Sequence, residues 1–407
     1  MSNSLLTPTI IAKEGLMQLR NNMVMGGLVH REYKEEFKKV GDTIEIRKPV
    51  KFLAKDGATR IQKDVTEGYI TLQISKRKHV SWSFTTQDLT LTIDQYSERY
   101  VTPAGIELGN VVDTDLLGLY NQIANCAGTP GSTPATFMAL GNCAIRLDNA
   151  AVPDDGRRRL VLNPDAKWNM ADGLKGSFDP NLAKDTVRQG LLGQVARMTI
   201  YGDQNVARHT TGSLAGDTGQ INGAVSDTYS TSTQTSSVTL KSLTGASGTL
   251  KAGDVFTIGS GATGVYAINP RNRQSTGQLQ TFVITADATV TSNAATVTVF
   301  PRIITSGAYQ TVSQAAADSA SVAFYGNVAA STSYPQNLAF HRNALALVMM
   351  PLELPRSAVF KARSTMDGVS VRVIEDYDSE MDEEVIRLDI LYATKAIYPE
   401  LAVRLWG

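Results

Sequence analysis

The chain has 407 residues, which leaves room for two or three domains of ordinary size. Lysine and arginine together number 39, as do aspartate and glutamate, so the composition lacks the basic excess of a protein whose main ligand is nucleic acid. Only 19% of the residues are charged, against an average of about 25%, and such a surface favours association between copies of the chain.

The first predicted element is an amphipathic helix. Thr7 followed by Pro8 is a helix start signal, and Gly26 with Gly27 ends the pattern. Between these signals, apolar residues recur at helical spacing on one face: Ala12, Leu16, Leu19 and Met23.

Two strand regions with a period of two follow, at residues 44–47 and 70–84. The segment between them, residues 51–67, carries seven charged side chains around Gly57 and is too polar for the core of its own subunit. We therefore predict a long projecting hairpin loop. Its basic side chains are Lys51, Lys55, Arg60 and Lys63.

A long helix is predicted from Pro103 to Cys126, which at 1.5 Å per residue would measure about 36 Å. Its apolar face comprises Leu108, Val112, Leu116, Leu119 and Ile123. Such a helix would act as a spine for the surrounding elements.

A second compact unit is expected to begin near residue 136. Residues 160–162 have the character of a strand, and helices are predicted over residues 164–174 and 182–195. Helices and strands therefore alternate in the α+β or α/β manner.

The composition changes between His209 and Tyr334, where only ten of 126 residues are charged and Ser, Thr, Gly and Ala dominate. Short alternating runs at residues 237–240, 255–258, 282–284 and 296–299 lie between turn residues, which predicts a small all-β barrel or sandwich. Because the strand-and-helix pattern resumes at Leu345, the β unit is interpreted as an insertion into another domain.

The sequence offers no support for catalysis or for a bound cofactor or metal. The four histidines, His30, His79, His209 and His341, lack the i, i+4 spacing of a zinc site. Residues 259–264 fit G-x-G-x-x-G but precede an extended segment, and residues 212–216 place the serine one position too early for a nucleophile elbow. Two cysteines are too few for a disulfide framework and favour a reducing compartment.

An acidic run near the C-terminus lacks the central glycine of a calcium loop, so we interpret it as a solvated turn or a charge contact. It consists of Glu375, Asp376, Asp378, Glu380, Asp382, Glu383 and Glu384. The chain also shows no secretory leader and no apolar stretch near about 18 residues, so we expect synthesis in the cytosol and no membrane partner.

The order of elements resembles the major capsid (coat) proteins of tailed bacteriophages. QGLLGQV at 189–195 leading to MTIY at 198–201 is similar to the family's helix-to-strand passage, and residues 388–393 and 398–405 are similar to its closing strands. The charge-poor insertion resembles the inserted β-barrel of a podovirus-type branch, with LKAGDVF at 250–256 and GVYAINP at 264–270 resembling its core.

This resemblance implies an α+β fold with an N-terminal arm, an extended loop, a peripheral domain with a spine helix, an axial domain and an inserted all-β barrel. The expected ranges are 1–41 for the arm, 42–84 for the extended loop, 85–135 and 356–407 for the peripheral domain, 136–222 and 335–355 for the axial domain, and 223–334 for the barrel.

The resemblance also implies a structural, non-enzymatic subunit that forms hexamers and pentamers of an icosahedral head. Assembly would begin in the host cytoplasm on a scaffolding protein with a portal, and DNA would be packaged as non-specific contents of the virion. The charged residues suggest that the projecting loop of one subunit contacts the acidic run of a neighbouring subunit through opposite charges. The candidates are Lys51, Lys55, Arg60, Lys63, Asp376, Asp378, Glu380 and Asp382.

A different class of protein stays open at this stage: a β-rich phage tail or surface protein whose Ser/Thr/Gly domain binds carbohydrate. Such a protein would present exposed aromatic platforms, whereas the insertion has few aromatic residues and several of them occupy core-like strand positions.

Overall fold

The computed structural model describes residues 8–33, 43–54, 66–85, 97–174, 192–327, 329–358 and 360–407. The chain divides into two compact units. The first comprises Met1–Glu45, Thr71–Leu116 and Leu345–Lys395, and the second comprises Ile46–Ile70, Leu117–Ala344 and Ala396–Gly407. Among the described residues, no helix has both the length and the apolar character needed to cross a membrane.

The α-helices of the described residues are α1 (Pro8–Asn22), α2 (Met25–Leu28), α3 (Thr102–Leu117), α4 (Phe137–Asn149) and α5 (Pro164–Leu174). The strands are β1 (Thr43–Arg47), β2 (Tyr69–Gln73), β3 (Lys76–Thr85), β4 (Cys126–Ala127), β5 (Arg158–Leu162), β6 (Gln194–Val195), β7 (Met198–Gly202), β8 (Arg208–Thr210), β9 (Thr218–Ile221), β10 (Ser236–Lys241), β11 (Ser247–Leu250), β12 (Val255–Ile258), β13 (Tyr266–Ile268), β14 (Ser275–Leu279), β15 (Thr281–Ile284), β16 (Ala288–Thr291), β17 (Ala295–Phe300), β18 (Ser321–Phe324), β19 (Ser333–Pro335), β20 (Asn337–His341), β21 (Leu345–Met349), β22 (Phe360–Met366), β23 (Val369–Asp378), β24 (Glu383–Ala396) and β25 (Ala402–Leu405).

The first unit is built on a sheet of order β21-β24-β23-β22, to which β3 adds by pairing antiparallel with β24. Helix α1 packs against β22 and β23, and α3 packs against α1. Gly105 and Gly109 of α3 allow this close approach, because a Cβ on Gly105 would lie 2.9 Å from the Gly15 carbonyl oxygen. The predicted N-terminal helix is confirmed, and the four residues of its apolar face are buried. Its predicted end at Gly26 and Gly27 is wrong, because α1 ends at Asn22 and the two glycines lie within α2.

The spine helix is shorter than predicted. A π-helical turn, Ser97–Val101, leads into α3, which ends at Leu117 and continues only as a 3-10 turn, Gly118–Gln122. The predicted end at Cys126 is wrong, because Cys126 pairs with Arg404 in a parallel β-ladder whose extended backbone excludes a helix. All five residues of the predicted apolar face are buried, but only Leu108, Val112 and Leu116 lie on α3. Leu119 belongs to the 3-10 turn, and Ile123 follows that turn with an extended backbone.

The second unit contains a six-stranded sheet of order β4-β25-β20-β5-β7-β6. Helices α4 and α5 pack their apolar residues against it in one core, and α4 begins at a cap in which Thr136 Oγ1 accepts a hydrogen bond from the Ala139 N–H. The prediction of a helix over 164–174 is confirmed. The helix predicted over 182–195 falls mostly outside the described residues, and its predicted end is wrong because Gln194–Val195 is a strand.

The charge-poor insertion forms a closed six-stranded barrel of order β10-β17-β15-β12-β18-β9. All four strand runs predicted in this region are confirmed, as β10, β12, β15 and β17. Their inward side chains form a continuous core with 0% exposure at Phe256, Phe282 and Val297. The short strands β8 and β19 pair antiparallel at the base of the barrel, so the chain enters and leaves it side by side, as an inserted domain requires.

The two compact units do not coincide with the predicted domains, because some segments fall in a different unit. The predicted domain ranges themselves stay a prediction. The first barrel strand, β9, lies before the predicted barrel start at residue 223. Residues 345–355 fall in the first unit because β21 pairs with β24, and residues 396–407 fall in the second because β25 pairs with β20 and β4.

Truncation of Leu116 tests the packing of the spine helix. The side chain is fully buried, so Leu116→Ala should lower the free energy of unfolding by about 2 to 5 kcal/mol through lost contacts and the cavity left behind. Ile145→Ala on α4 is the matched control, because Ile145 is 45% exposed. Thermal unfolding measures both variants, and an unchanged melting temperature for Leu116→Ala would contradict the packing described above.

The barrel with its two-stranded base should fold by itself. We expect a fragment of residues 208–335 to give a well-dispersed amide NMR spectrum, because it contains the whole closed sheet and its core. A fragment of residues 223–334 lacks β9, which leaves β10 and β18 with open edges, and should be less stable. A random-coil spectrum from the longer fragment would disprove autonomous folding.

Candidate subunit-contact site

The acidic run predicted from the sequence folds as the end of a β-hairpin in the first unit. Strands β23 and β24 pair up to Asp378 and Glu383, and the residues between these two form the turn. The Glu380 N–H donates to Asp378 Oδ1 (2.9 Å), and the Tyr377 hydroxyl donates to Asp382 Oδ1 (2.7 Å). Local hydrogen bonds therefore define the conformation of this turn.

The hairpin end, residues 375–384, presents both charge and apolar surface to solvent. All four carboxylates predicted to make subunit contacts are exposed: Asp376, Asp378, Glu380 and Asp382. Tyr377 and Met381 beside them are 57% and 71% exposed. Tyrosine and methionine are enriched at protein interfaces, so this turn has the composition of a docking element.

Two further acids, Glu375 and Glu384, lie at the base of the hairpin end. Both are half-buried, and their side chains interact across β23 and β24. Burial, followed by the hydrogen bond and the charge of Glu384, raises the pKa of Glu375 to about 8. Near neutral pH the Glu375 carboxyl therefore retains its proton, which removes one negative charge from the run.

A buried carboxylate, Asp389, ties together the strands that carry the hairpin end. It accepts hydrogen bonds from Arg372 Nε (3.2 Å) and Arg387 Nε (2.7 Å), and Arg77 Nη2 lies 3.4 Å away. Burial alone would raise the pKa of Asp389, but Arg372 and Arg387 outweigh it and hold the pKa below its usual value. Because the arginines belong to β3, β23 and β24, the contact fixes three strands at once.

The segment predicted to form the projecting loop connects β1 and β2, which pair as a two-stranded sheet. Of its four predicted contact residues, Lys51 is exposed in the second unit, and its backbone N–H donates to the Tyr309 hydroxyl (3.3 Å). Lys55, Arg60 and Lys63 lie outside the described residues. The pairing of these cations with the acidic turn stays a prediction.

A buried polar cluster at the base of the barrel was not predicted from the sequence. His209 Nε2 lies 2.9 Å from Asp254 Oδ1, and its Nδ1 lies 3.1 Å from the Tyr120 hydroxyl. Asp254 Oδ2 accepts from the backbone N–H groups of Gly212 (3.1 Å) and Lys251 (2.7 Å). These residues are far apart in the sequence, so no local motif predicts the cluster. The only signal was the position of His209 at the start of the charge-poor segment.

The sequence features considered as cofactor or metal sites have structural roles. The G-x-G-x-x-G at residues 259–264 is a turn between β12 and β13, as predicted, because a 3-10 turn and not a helix N-terminus follows β12. Nε2 of the buried His341 lies 3.0 Å from Oδ1 of the exposed Asp155. Within the described part of the chain, no group of three or more His, Cys, Asp or Glu side chains could hold a metal ion.

The sequence matches the family described as "P22 coat protein - gene protein 5" over residues 2–407, which is nearly the whole chain. A search of curated proteins gave no match. The family assignment therefore rests on this match to the coat protein family.

Several solved structures are similar to the chain at low sequence identity. "Mycobacterium phage Che8" is 14% identical, with a TM-score of 0.49 and coverage of 94% of this chain and 90% of that one. "Capsid of Ralstonia phage GP4" is 8% identical, with a TM-score of 0.45 and coverage of 91% and 84%. "Asymmetric unit of bacteriophage PhiM1 mature capsid" is 10% identical, with a TM-score of 0.43 and coverage of 90% and 83%.

The raised pKa of Glu375 predicts how stability depends on pH. Its folded pKa of about 8 lies above the ordinary value of 4.5, so the folded state binds the proton more tightly than the unfolded state. This contribution is complete below pH 4.5 and is lost as the pH rises through about 8. Glu375→Gln, which stays neutral, should flatten that decline.

Urea unfolding at a series of pH values measures this effect. Glu380→Gln is the control, because Glu380 lies on the exposed turn, and its pH profile should follow the wild type. If Glu375→Gln shows the same decline as the wild-type chain, the protonated pair is not present in solution.

Proposed function

Because the chain belongs to the P22 coat protein family, we propose that it builds the phage head as hexamers and pentamers of itself. It is a major capsid protein of a tailed phage, a structural and non-enzymatic component of the virion. Its fold is the α+β capsid fold of such proteins with a closed six-stranded barrel. We further propose that assembly uses a scaffolding protein and a portal and encloses DNA without sequence-specific contacts.

The proposed subunit contact joins the hairpin end of one copy to the projecting loop of a neighbour. One observation carries it: four exposed carboxylates lie together at the hairpin end beside exposed Tyr377 and Met381. The loop supplies the opposite charge through Lys51, Lys55, Arg60 and Lys63. An exposed ion pair contributes only about 0 to 1 kcal/mol, but a closed shell repeats each contact many times.

The carbohydrate-binding alternative loses its support. The family match covers residues 2–407 and therefore includes the barrel. The aromatic rings on the strands of the closed barrel, Phe256, Phe282, Phe300 and Phe324, are at most 8% exposed and are packed in hydrophobic clusters, so they offer no platform for a sugar ring.

Charge reversal tests the proposed contact. Asp378→Lys with Glu380→Lys should reduce assembly, because the turn then repels the cationic loop of the neighbouring copy. Adding Lys55→Glu and Arg60→Glu in the same chain should partly restore it. Electron microscopy of the concentrated protein measures the yield of five- and six-membered rings and closed shells, and circular dichroism verifies folding.

Neutral variants provide the matched control. Asp378→Asn with Glu380→Gln keeps the shape of the side chains and removes the charge, so its effect on yield should be smaller than that of the reversal. A folded reversal variant that the loop changes fail to rescue would contradict the pairing. Absence of rings and shells in the wild-type protein would contradict the hexamer and pentamer proposal.

A further inference from the structure

The two ends of the projecting loop are both attached to the inserted barrel. We define the loop stem as residues 48–54 on the outgoing side and 66–69 on the returning side. The Lys48 N–H donates to the Gly68 carbonyl (2.6 Å), which joins the two sides. The Tyr69 N–H donates to the Thr231 carbonyl of the segment that connects β9 to β10 (2.9 Å). The stem is therefore an extension of the barrel surface.

Tyr309 bridges the two sides of the stem with one hydroxyl group. The hydroxyl accepts a hydrogen bond from the Lys51 N–H (3.3 Å) and donates one to the Thr66 carbonyl (2.8 Å). Tyr309 lies between β17 and β18, in a barrel connection, so the bridge holds residues on both sides of the loop against the insertion.

A second tyrosine fixes the Tyr309 ring. The rings of Tyr229 and Tyr309 stack face to face, with centroids 3.7 Å apart and an interplanar angle of 9°. The two segments that carry them are joined by backbone hydrogen bonds, from the Asp227 N–H to the Ile303 carbonyl and from the Val225 N–H to the Ala316 carbonyl (both 2.8 Å). Burial raises the pKa of Tyr229 to about 12, with a further contribution from Tyr309.

Gly68 is the one position in the stem where the stack leaves no space for a side chain. A Cβ there would lie 2.2 Å from the Tyr229 hydroxyl oxygen, while the next neighbours, the Thr231 carbonyl oxygen and Tyr229 Cζ, would be at 3.4 Å. An alanine at this position would therefore force the Tyr229 hydroxyl group to move.

Side chains reinforce the attachment on the outgoing side. Lys48 Nζ donates to Gln234 Oε1 (2.8 Å) and lies 5.0 Å from the centroid of the Tyr398 ring. Arg273 Nη2 donates to the Phe52 carbonyl (2.8 Å). Every one of these contacts lies within the second unit, which contains both the stem and the barrel.

We propose that the inserted barrel orients the projecting loop for assembly, and that Tyr309 is the positioning residue that ties both sides of the loop to it. The inference rests on the proposed role of the loop in subunit contact. A loop held at both ends loses less conformational entropy when it meets a neighbour, so its contacts form at lower protein concentration. The barrel then acts on the shell through the loop, without having to touch the neighbouring subunit itself.

Tyr309→Phe tests the bridge, because it removes the hydroxyl group and keeps the stacked ring. In the unassembled full chain, hydrogen exchange of the Lys51 amide should become about fivefold faster, the effect of one lost hydrogen bond. The yield of closed shells should fall as well. Tyr266→Phe is the matched control, because its hydroxyl donates within the barrel to the Gly261 carbonyl (2.9 Å), and neither measurement should change.

Gly68→Ala with and without Tyr229→Phe tests the stack independently. The alanine alone should accelerate exchange of the Tyr69 amide and lower the shell yield. Adding Tyr229→Phe removes the atom 2.2 Å from the new Cβ and should restore both toward the wild type. Such a rescue would show that the clash between the new Cβ and the Tyr229 hydroxyl causes both effects. A general loss of stability would not be repaired by deleting that hydroxyl group.

These outcomes separate the inference from the proposed loop contact. If exchange of both amides stays at the wild-type rate in Tyr309→Phe and Gly68→Ala, the attachment is absent and the inference is wrong. If exchange accelerates but shells form as in the wild type, the barrel does not govern the loop in assembly and the inference is also wrong. Failure of the loop contact appears instead in the charge-reversal variants and leaves the exchange rates unaffected.

Discussion

The buried guanidinium of Arg404 on β25 joins the inserted barrel to the six-stranded sheet. Its Nη1 donates to the carbonyl of Gly253, just before barrel strand β12, and its Nε donates to Gln336 Oε1 beside β20, both at 2.7 Å. The rings of Tyr120 and Trp406 lie 5.3 and 5.0 Å from its central carbon. A fully buried cation is tolerable only where such partners replace water, so barrel and sheet must keep one arrangement to satisfy it.

The loop stem, residues 48–54 and 66–69, is attached in turn to the barrel. Gly253 adopts a φ of 105°, and a Cβ there would lie 3.0 Å from the rings of both His209 and Tyr120. Both observations favour glycine at the position whose carbonyl binds Arg404. The hydrogen bonds of Asp254 with His209 and with the Gly212 N–H hold the turn before β12 beside the paired strands β8 and β19. From this base, the connections that carry Tyr229 and Tyr309 reach the loop stem.

Much of this architecture could be predicted from the sequence, because its signals are local. Apolar spacing located α1 and the buried face of α3, and alternation between turn residues located four of the six barrel strands. The scarcity of charge between His209 and Tyr334 marked the insertion, since a small closed barrel buries one face of every strand and needs few charged side chains. The acidic run was interpreted as a solvated turn or a charge contact; only its residues 379–382 form a turn, the others lie at the paired ends of β23 and β24, and the charge contact stays a prediction. Family resemblance supplied the capsid function, which the full-length match then established.

Tertiary structure decided what depends on residues far apart in the chain. The sequence favoured a helix up to Cys126, but pairing with Arg404 of β25 requires an extended backbone there. Strand β9 closes the barrel because β10 and β18 flank it, although its own four residues, Thr218–Ile221, carry too little pattern to be recognised. No local sequence pattern pointed to Arg404, Asp254 or Tyr309, since their roles come from partners 45 to 258 positions away. Local periodicity reports which face of an element is buried, whereas the identity of its neighbour is set only when distant segments meet.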